Sequence, residues 1–95
     1  MDQNKIAKIA KALSDPTRLN IYETIAGCKE AFCGQLVEKY ELTPGTVSHH
    51  LKVLADADLI EWRREGQFIY NRARPETIRE YSAALGKIAG LGAKR

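Results

Sequence analysis

Long apolar runs and sulfur-containing residues are both scarce in this chain of 95 residues. No segment approaches the roughly eighteen consecutive apolar residues that cross a membrane as a helix. The first residues, MDQNKIAKIAKALSD, lack the apolar stretch and the cleavage site of a secretory signal. We therefore expect a cytoplasmic protein without a membrane partner. Its two cysteines, Cys28 and Cys33, are expected to be reduced thiols, because structural disulfides are uncommon in that compartment.

Aromatic residues are also few, at 7% of the chain, beside 44% apolar and 28% charged residues. This composition is that of an ordinary soluble globular protein, and the length suits one domain over residues 1–95. So short a chain has a thin core and gains stability by pairing with a copy of itself. An apolar stripe left over on a terminal helix would therefore indicate a dimer interface.

The excess of positive charge lies in the second part of the chain. Residues 1–43 contain six Lys or Arg and six Asp or Glu, whereas residues 44–95 contain nine and six. The segment WRREGQFIYNRAR, residues 62–74, holds four arginines and a single glutamate. Such a strip suits a surface that binds a polyanion such as nucleic acid, although a solvated face explains many similar runs.

Helical spacing of apolar residues predicts two helices at the start of the chain. The first spans residues 3–13. The second starts at Pro16, where the missing N–H costs nothing, after an N-cap at Ser14 or Asp15, and it stops at Gly27. The spacing predicts a buried face made of the following residues: Leu19, Tyr22 or Glu23, Ile25 and Ala26.

Two helices with a very short connection are predicted in the middle of the chain. The first covers about residues 32–40, and the second begins only three residues later with Thr43 as its N-cap and Pro44 at its first position. So tight a connection is typical of a helix-turn-helix, here about residues 32–57. The second helix of such a motif lies in the major groove of DNA.

The pattern then changes from helical spacing to alternation. Alternating β-branched and aromatic residues predict a hairpin over about residues 60–72, with its turn at Glu65-Gly66. A hairpin after such a helix is a wing. A last helix is predicted over about residues 75–91. The predicted fold is therefore mainly α with a small β-hairpin, a winged helix-turn-helix with helices at both termini.

Two segments carry a family resemblance: ALSDPTRLNIYETI and TVSHHLKVLADADLIEWRREGQFIY. Together they resemble the ArsR family of small bacterial repressors over roughly residues 6–90. The resemblance implies a homodimer without enzymatic activity that binds operator DNA with an inverted repeat and releases it when an effector arrives. It also implies a dimer interface between the terminal helices, about residues 3–13 and 75–91. The apolar residues expected there are Ile6, Ile9, Leu13, Tyr81, Leu85 and Ile88.

The polar side of the second helix of the motif supplies candidates for DNA contact. Val47 and Leu54 mark its buried side, and His50 borders that side, where we expect it to pack and to hydrogen-bond to the backbone. His49 lies about 100° around the helix from His50, so the pair cannot chelate one metal ion from a regular helix. The expected DNA contacts, with a solvated face as the alternative, are Thr43, Gly45, Thr46, Ser48, His49 and Lys52.

Departures from the family pattern leave some details open. Residues 43–46 read TPGT where family members often have Ser-Gln-Pro-Thr, so a Gln that reads a base edge is missing. Gly45 costs about 1 kcal/mol relative to Ala within a helix, and approach to a phosphate or tolerance near the helix start explains it equally well. Asp58 replaces a common Gly but tolerates left-handed backbone. In the wing, Arg64 and Gln67 are the preferred DNA contacts because they flank the tip.

The two effector sites common in the family are not expected here. Phe32 and Gly34 occupy the positions of the arsenic-type Cys-x-Cys, and the terminal helix has no His for the other metal site. Neither a metal nor a cofactor is therefore expected. Cys28 and Cys33 are candidates for a disulfide, a persulfide or a thiolate-bound arsenical, with small buried hydrophobes as the alternative.

Two other functions fit parts of the same sequence. A winged helix-turn-helix can be a module for protein–protein interaction, because a fold does not fix its partner. An enzyme would need Ser48-His49 or Cys33 as its nucleophile. Neighbouring side chains on a helix diverge and no third orienting group is evident, so the sequence disfavours catalysis.

Overall fold

The computed structural model describes residues 1–90, which form five helices and a three-stranded sheet. The five helices and the two strands of the hairpin follow each other in the predicted order. The helices are α1 (Gln3–Leu13), α2 (Pro16–Ala26), α3 (Cys33–Tyr40), α4 (Pro44–Asp56) and α5 (Pro75–Ile88). The strands are β1 (Ala31–Phe32), β2 (Ile60–Glu65) and β3 (Phe68–Ala73). This architecture confirms the predicted winged helix-turn-helix. The last helix ends at Ile88, a few residues before its predicted end near residue 91, which itself lies outside the described residues.

Side-chain caps explain where the helices begin. The carboxylate of Asp15 accepts a hydrogen bond from the backbone N–H of Arg18 at 3.0 Å, which makes Asp15 rather than Ser14 the cap of α2. Thr43 caps α4 as predicted, because its Oγ1 accepts from the backbone N–H of Thr46 at 3.2 Å. The first residue of α2, of α4 and of α5 is a proline, at the position where a missing N–H costs nothing.

The predicted hairpin is formed by β2 and β3, but its turn lies one residue later than predicted. Glu65 pairs with Phe68, so the two-residue turn is Gly66-Gln67 instead of Glu65-Gly66. Gly66 has a φ of 61°, which glycine adopts without strain at the first position of such a turn. The prediction placed the glycine at the second turn position, where Asp-Gly and Asn-Gly turns have it.

A short third strand, β1, was not predicted. It pairs antiparallel with β3, with Ala31 opposite Asn71 and Phe32 opposite Tyr70, and the sheet order is β1-β3-β2. The buried Asn71 amide also donates to the carbonyl of Ala31 at 3.3 Å. Phe32 was predicted to begin the helix that actually begins at Cys33. The two residues of β1 are too few to show the alternating pattern that predicts a strand. They form one only because the distant β3 supplies hydrogen-bond partners.

The core lies between the helices and one face of the sheet. Its largest fully buried apolar side chains are Ile9, Ile21, Ile25, Leu36, Leu54, Leu59, Ile60 and Val47. The predicted buried face of α2 is partly wrong, because Leu19 is 44% exposed and Ala26 is also exposed, whereas Ile21 is fully buried. Arg18 is also buried, at 9% exposure, because it finds hydrogen-bond acceptors in the interior that spacing along the sequence does not reveal.

Candidate nucleic-acid interface

Helix α4 has one buried side and one exposed side. Val47, His50, Leu51 and Leu54 are buried. The residues predicted to face outward are all exposed: Thr43, Gly45, Thr46, Ser48, His49 and Lys52. The cap also orders the exposed start of the helix, because the Thr43 hydroxyl donates to the Thr46 hydroxyl at 2.8 Å. Hydroxyl and imidazole groups on this side can donate to and accept from base edges.

His50 is held by a buried arginine. Its Nδ1 lies 3.2 Å from Nη1 of Arg18, and both residues are less than a tenth exposed. A guanidinium is always charged and only donates, so Nδ1 must accept, and the ring is neutral with its proton on Nε2. The predicted inward position of His50 is therefore confirmed, but the predicted backbone hydrogen bond is wrong, because its partner is a side chain.

The same guanidinium joins three elements of the fold. Arg18 Nε donates to the carbonyl of Ala12 at 2.6 Å and Nη2 donates to that of Lys11 at 3.2 Å, so the end of α1, the start of α2 and the middle of α4 are connected. Burial, followed by the charge of Arg18, lowers the pKa of His50 below its usual value of 6.5, although Asp15 opposes this shift. The arrangement orients α4 through a neutral histidine.

The three arginines of β2 and β3 differ in their partners. Arg63 pairs with Glu65 and, at 2.9 Å, with Glu30, and it lies over the ring of Tyr70. Arg72 pairs with Glu61 at 2.5 Å across the hairpin. Within residues 1–90, Arg64 forms no ion pair. An exposed cation without a carboxylate partner is available to an external anion such as phosphate.

Arg64 also lies on a different face of the hairpin from the paired arginines. Side chains alternate along a strand, so Arg64 shares a face with Trp62, and it stands opposite Ile69. That face borders a cleft of about 480 Å³ between α4 and the hairpin, which we call the wing cleft. The residues that line the wing cleft include Cys33, Ser48, Leu51, Lys52, Trp62, Gln67 and Ile69. The cleft thus brings predicted contacts from α4 and from the wing tip onto one surface.

Trp62 and Ile69 of the wing cleft were not singled out from the sequence. Alternation from the buried Ile60 places Trp62 on the inner face of β2, and this signal was present in the sequence. What the sequence did not show is the space beside it, which depends on how far α4 stands from the hairpin.

Comparisons with known proteins agree with this architecture. Residues 13–63 match the family described as helix-turn-helix domain. The chain is 39% identical over 62 residues to the transcriptional repressor SdpR of Bacillus subtilis (strain 168), and the aligned residues cover 65% of this chain and 68% of that protein. It is 36% identical over 66 residues to an arsenical resistance operon repressor of Staphylococcus xylosus, covering 70% and 62% of the two proteins. The chain belongs to the ArsR family.

A solved structure extends the comparison to the fold and assembly of an ArsR-family relative. It is a homodimeric winged helix-turn-helix DNA-binding domain from Mycobacterium bovis, described as a possible ArsR-family transcriptional regulator. It superposes with a TM-score of 0.73 at 26% identity, over 96% of this chain and 83% of that one. Members of the ArsR family are DNA-binding transcriptional regulators, and the relatives found are regulators rather than enzymes.

The terminal helices of this ArsR-family chain leave an apolar surface uncovered in the protomer. A groove of about 400 Å³ between α1 and α5, which we call the terminal groove, is lined by Ile6 and Ile88 among others. Ile88 is 65% exposed and Leu85 is 40% exposed. Three of the residues expected in a dimer interface therefore lie at or near an accessible surface.

The other three residues expected in the dimer interface lie deeper. Leu13 and Tyr81 are partly buried against the core of the protomer. Ile9 is completely buried there, so the expectation that it contacts a partner subunit is wrong. Helix α1 packs on α2, α4 and α5 at once, and part of its apolar stripe is used within the protomer. An apolar stripe in the sequence does not show whether its residues pack inside the protomer or against a partner subunit.

Asp58 connects the end of α4 to both terminal helices. Its carboxylate forms an ion pair with Lys5 of α1 and lies 3.7 Å from Nη1 of Arg74, while its carbonyl accepts from the Thr77 hydroxyl at 2.5 Å. The hydrogen bond from Lys5 is the main reason why the pKa of this carboxyl is lowered. Its φ of 60° confirms that Asp58 adopts left-handed backbone here.

The thiols of the chain lie at different places. Cys28 is exposed and borders a cleft with Glu61 and Arg72, whereas Cys33 is half-buried in the wing cleft beside Trp62. Alternation puts Glu61 and Trp62 on opposite faces of β2, so the two clefts lie on opposite faces of the sheet. The fold therefore does not place the two cysteines together for a disulfide.

Residues 1–90 contain neither a cluster of metal ligands nor a membrane-spanning helix. In residues 1–90, no three His, Cys, Asp or Glu side chains come close enough together to hold a metal ion. No helix in this part of the chain has the length and apolarity needed to cross a membrane.

Proposed function

We propose that this protein is a homodimeric transcriptional repressor that binds double-stranded DNA containing an inverted repeat. The observation that carries the proposal is the exposed polar side of α4 together with the unpaired Arg64, which lies on the hairpin face that borders the wing cleft. A protein that reads DNA needs groups for base edges together with cations for phosphates, and α4 and the wing supply both. SdpR and the arsenical resistance operon repressor are repressors by name, which supports the same role for this chain.

Within this proposal, the contacts divide by chemistry. Ser48 and His49, exposed in the second turn of α4, read base edges in the major groove. Lys52 and Arg64 bind phosphates, and Gln67 at the wing tip donates to the backbone of the DNA. Lys52 pairs with Asp56 at 3.2 Å, but exposed pairs of this kind are worth little, so the lysine can exchange this partner for a phosphate.

Thr43, Gly45 and Thr46 belong to the start of the same surface. A helix N-terminus presents unpaired backbone N–H groups and a positive dipole, which favour a phosphate. A Cβ added at Gly45 would meet no atom of the protomer within 4 Å, so space inside the protein does not require glycine at this position. Close approach of the DNA backbone is therefore our explanation for a glycine at position 45.

The proposed dimer supplies the symmetry of the DNA site. In the dimer a second copy covers the terminal groove, with Ile6 and Ile88, together with the exposed Leu85 of α5. Two copies related by a twofold axis place their recognition helices in major grooves about 34 Å apart, which requires an inverted repeat. The homodimeric M. bovis domain supports this assembly.

Selection of bound duplexes from a random pool tests the proposal. We expect an inverted repeat, and affinity for it should fall linearly in a plot of log affinity against log salt. His49→Ala should lose discrimination at one position of each half-site, whereas Arg64→Ala should weaken binding to all duplexes and reduce the salt slope by about 1. A protein–protein interaction module would select no duplex.

We further propose that Cys33 is the thiol through which an effector releases DNA, because it borders the wing cleft next to Ser48 and Lys52. Arsenite that condenses with its Sγ with loss of water, or sulfane sulfur transferred to its Sγ from a polysulfide, adds bulk to the surface that faces DNA. Cys33→Ser should then bind DNA under arsenite, or under an oxidant such as a polysulfide, that releases the parent protein. Cys28→Ser, on the other face of the sheet, is the matched control and should respond like the parent. If both variants respond like the parent, neither thiol is the sensor.

A further inference from the structure

Trp62, the only tryptophan of the chain, is poorly covered for a residue of its size. It is 58% exposed, although its neighbour across the hairpin, Asn71, is 1% exposed. Its indole N–H donates to no acceptor in residues 1–90. A tryptophan presents a large apolar face and one polar edge, and this combination suits a contact surface more than solvent.

The surroundings of Trp62 combine an apolar floor with a polar rim. Leu51 and Ile69 line the wing cleft beside the indole, and Ser48, Lys52 and Gln67 line the same cleft. Arg64 lies two residues along β2 on the same face and has no ion-pair partner in the described part of the chain. The cleft therefore offers apolar contact in its interior and hydrogen-bond donors at its edge, where Lys52 pairs with Asp56, and the unpaired Arg64 lies farther along the same hairpin face.

We propose that Trp62 packs against the sugar–phosphate backbone of one DNA strand, which runs through the wing cleft. This inference rests on the proposed DNA binding and adds a contact that reads no sequence. With α4 in the major groove and the wing tip at a phosphate, the strand between them crosses the cleft. A deoxyribose has an apolar face that matches the indole, while the adjoining phosphate meets Lys52 and Arg64.

The position of Trp62 makes fluorescence a direct test on the unmodified protein. Quenching by acrylamide is measured for the protein alone, with the selected duplex, and with a duplex of equal length that is not bound. We expect the selected duplex alone to reduce quenching, and salt that dissociates the complex should restore it. If the protein binds the duplex and quenching is unchanged, Trp62 is not at the interface. If protection appears without DNA as the protein concentration rises, a second copy covers the cleft instead.

Variants separate this contact from the others in the interface. Trp62→Ala should weaken binding about tenfold, equivalent to about 1.4 kcal/mol. The factor should be the same for the selected duplex and for duplexes in which one of its base pairs is substituted. The salt slope should not change, because no charge is removed. Trp62→Phe should retain most of the affinity, since it keeps an apolar ring.

Phe68→Ala is the matched control for the loss of an exposed aromatic residue. Phe68 is 43% exposed but pairs with Glu65 on the opposite face of the hairpin, against Phe32. The Phe68→Ala variant should bind DNA like the parent. Equal affinity of Trp62→Ala and the parent, in a protein that binds DNA, overturns the role of Trp62 and leaves the proposed function intact. Failure of the parent to bind any duplex overturns both.

Discussion

Replacement of His50 by Ala should destabilise the fold, whereas replacement of the adjacent His49 should not. His50→Ala leaves Nη1 of the buried Arg18 without its acceptor, which lies 3.2 Å away in the parent. A buried donor without a partner costs about 1–3 kcal/mol, and loss of the buried ring atoms adds about 1 kcal/mol. We therefore expect a loss of about 2–4 kcal/mol in the free energy of unfolding. His49 is exposed, so His49→Ala should change it by less than about 0.5 kcal/mol.

Urea unfolding followed by circular dichroism measures this difference. Protein concentration must be equal for all variants, because the stability of a dimer depends on it. In thermal unfolding, the expected loss lowers the midpoint by about 10–20 °C for a chain of this size. His50→Asn is the decisive control, since its amide oxygen can accept the Arg18 N–H from nearly the position of Nδ1.

The expected order of stability is parent, then His50→Asn, then His50→Ala. DNA binding gives the complementary readout, because His49→Ala should weaken operator binding while the fold persists. Equal stability losses from His49→Ala and His50→Ala would refute the division of roles between the histidines. If His50→Asn is no more stable than His50→Ala, the hydrogen bond from Arg18 is not what stabilises the fold.

Further expectations concern Gly45, pH and Asp58. Gly45→Ala should raise the free energy of unfolding by up to about 1 kcal/mol, since the added Cβ is unobstructed. If this more stable variant binds the operator more weakly, the DNA backbone approaches Gly45 closely. Unchanged binding would exclude such an approach. The lowered pKa of His50 means that the unfolded chain takes up a proton more readily as pH falls below 6.5, so stability should be greatest above that pH and decline below it, by at most about 1.4 kcal/mol per pH unit. The lowered carboxyl pKa values of Asp15 and Asp58 add a further loss only below about pH 3.8. In denaturant titrations at several pH values, His50→Asn should lack the decline that begins near pH 6.5 and keep the decline below about pH 3.8. Asp58→Ala should lose about 1–3 kcal/mol through left-handed strain and the loss of its exposed ion pairs, whereas Asp58→Gly should lose less; equal losses would mean that the backbone at φ 60° is not strained by Ala.

The local signals in the sequence were sufficient for most elements of the fold. Caps and prolines gave the starts of α2 and α4, and the bounds of α1 agree with those predicted from spacing. The outward positions of Ser48 and His49 followed from helical geometry, because the buried stripe of α4 is regular. These features depend on residues that are at most a few positions apart, so one sequence contains the information.

The features that the sequence did not reveal arise from contacts between distant residues. β1 exists because β3 pairs with it, and Arg18 is buried because α1 and α4 offer it acceptors. Arg63 has a carboxylate partner in the distant Glu30 and Arg72 has one in Glu61 across the hairpin, whereas Arg64, on the other face of β2, has none in residues 1–90. Ile9 lies in the core instead of a dimer interface for the same reason.

The sequence by itself determined the order of elements, the family, and which side of α4 is polar. Local hydrogen bonds and the periodicity of apolar residues control these properties, and both are written in neighbouring residues. The tertiary structure alone decided which arginine is unpaired, which histidine is held by Arg18, and that Trp62 borders a cleft beside α4. Those outcomes depend on the packing of elements against each other, and that packing fixes distances which spacing along a chain does not specify.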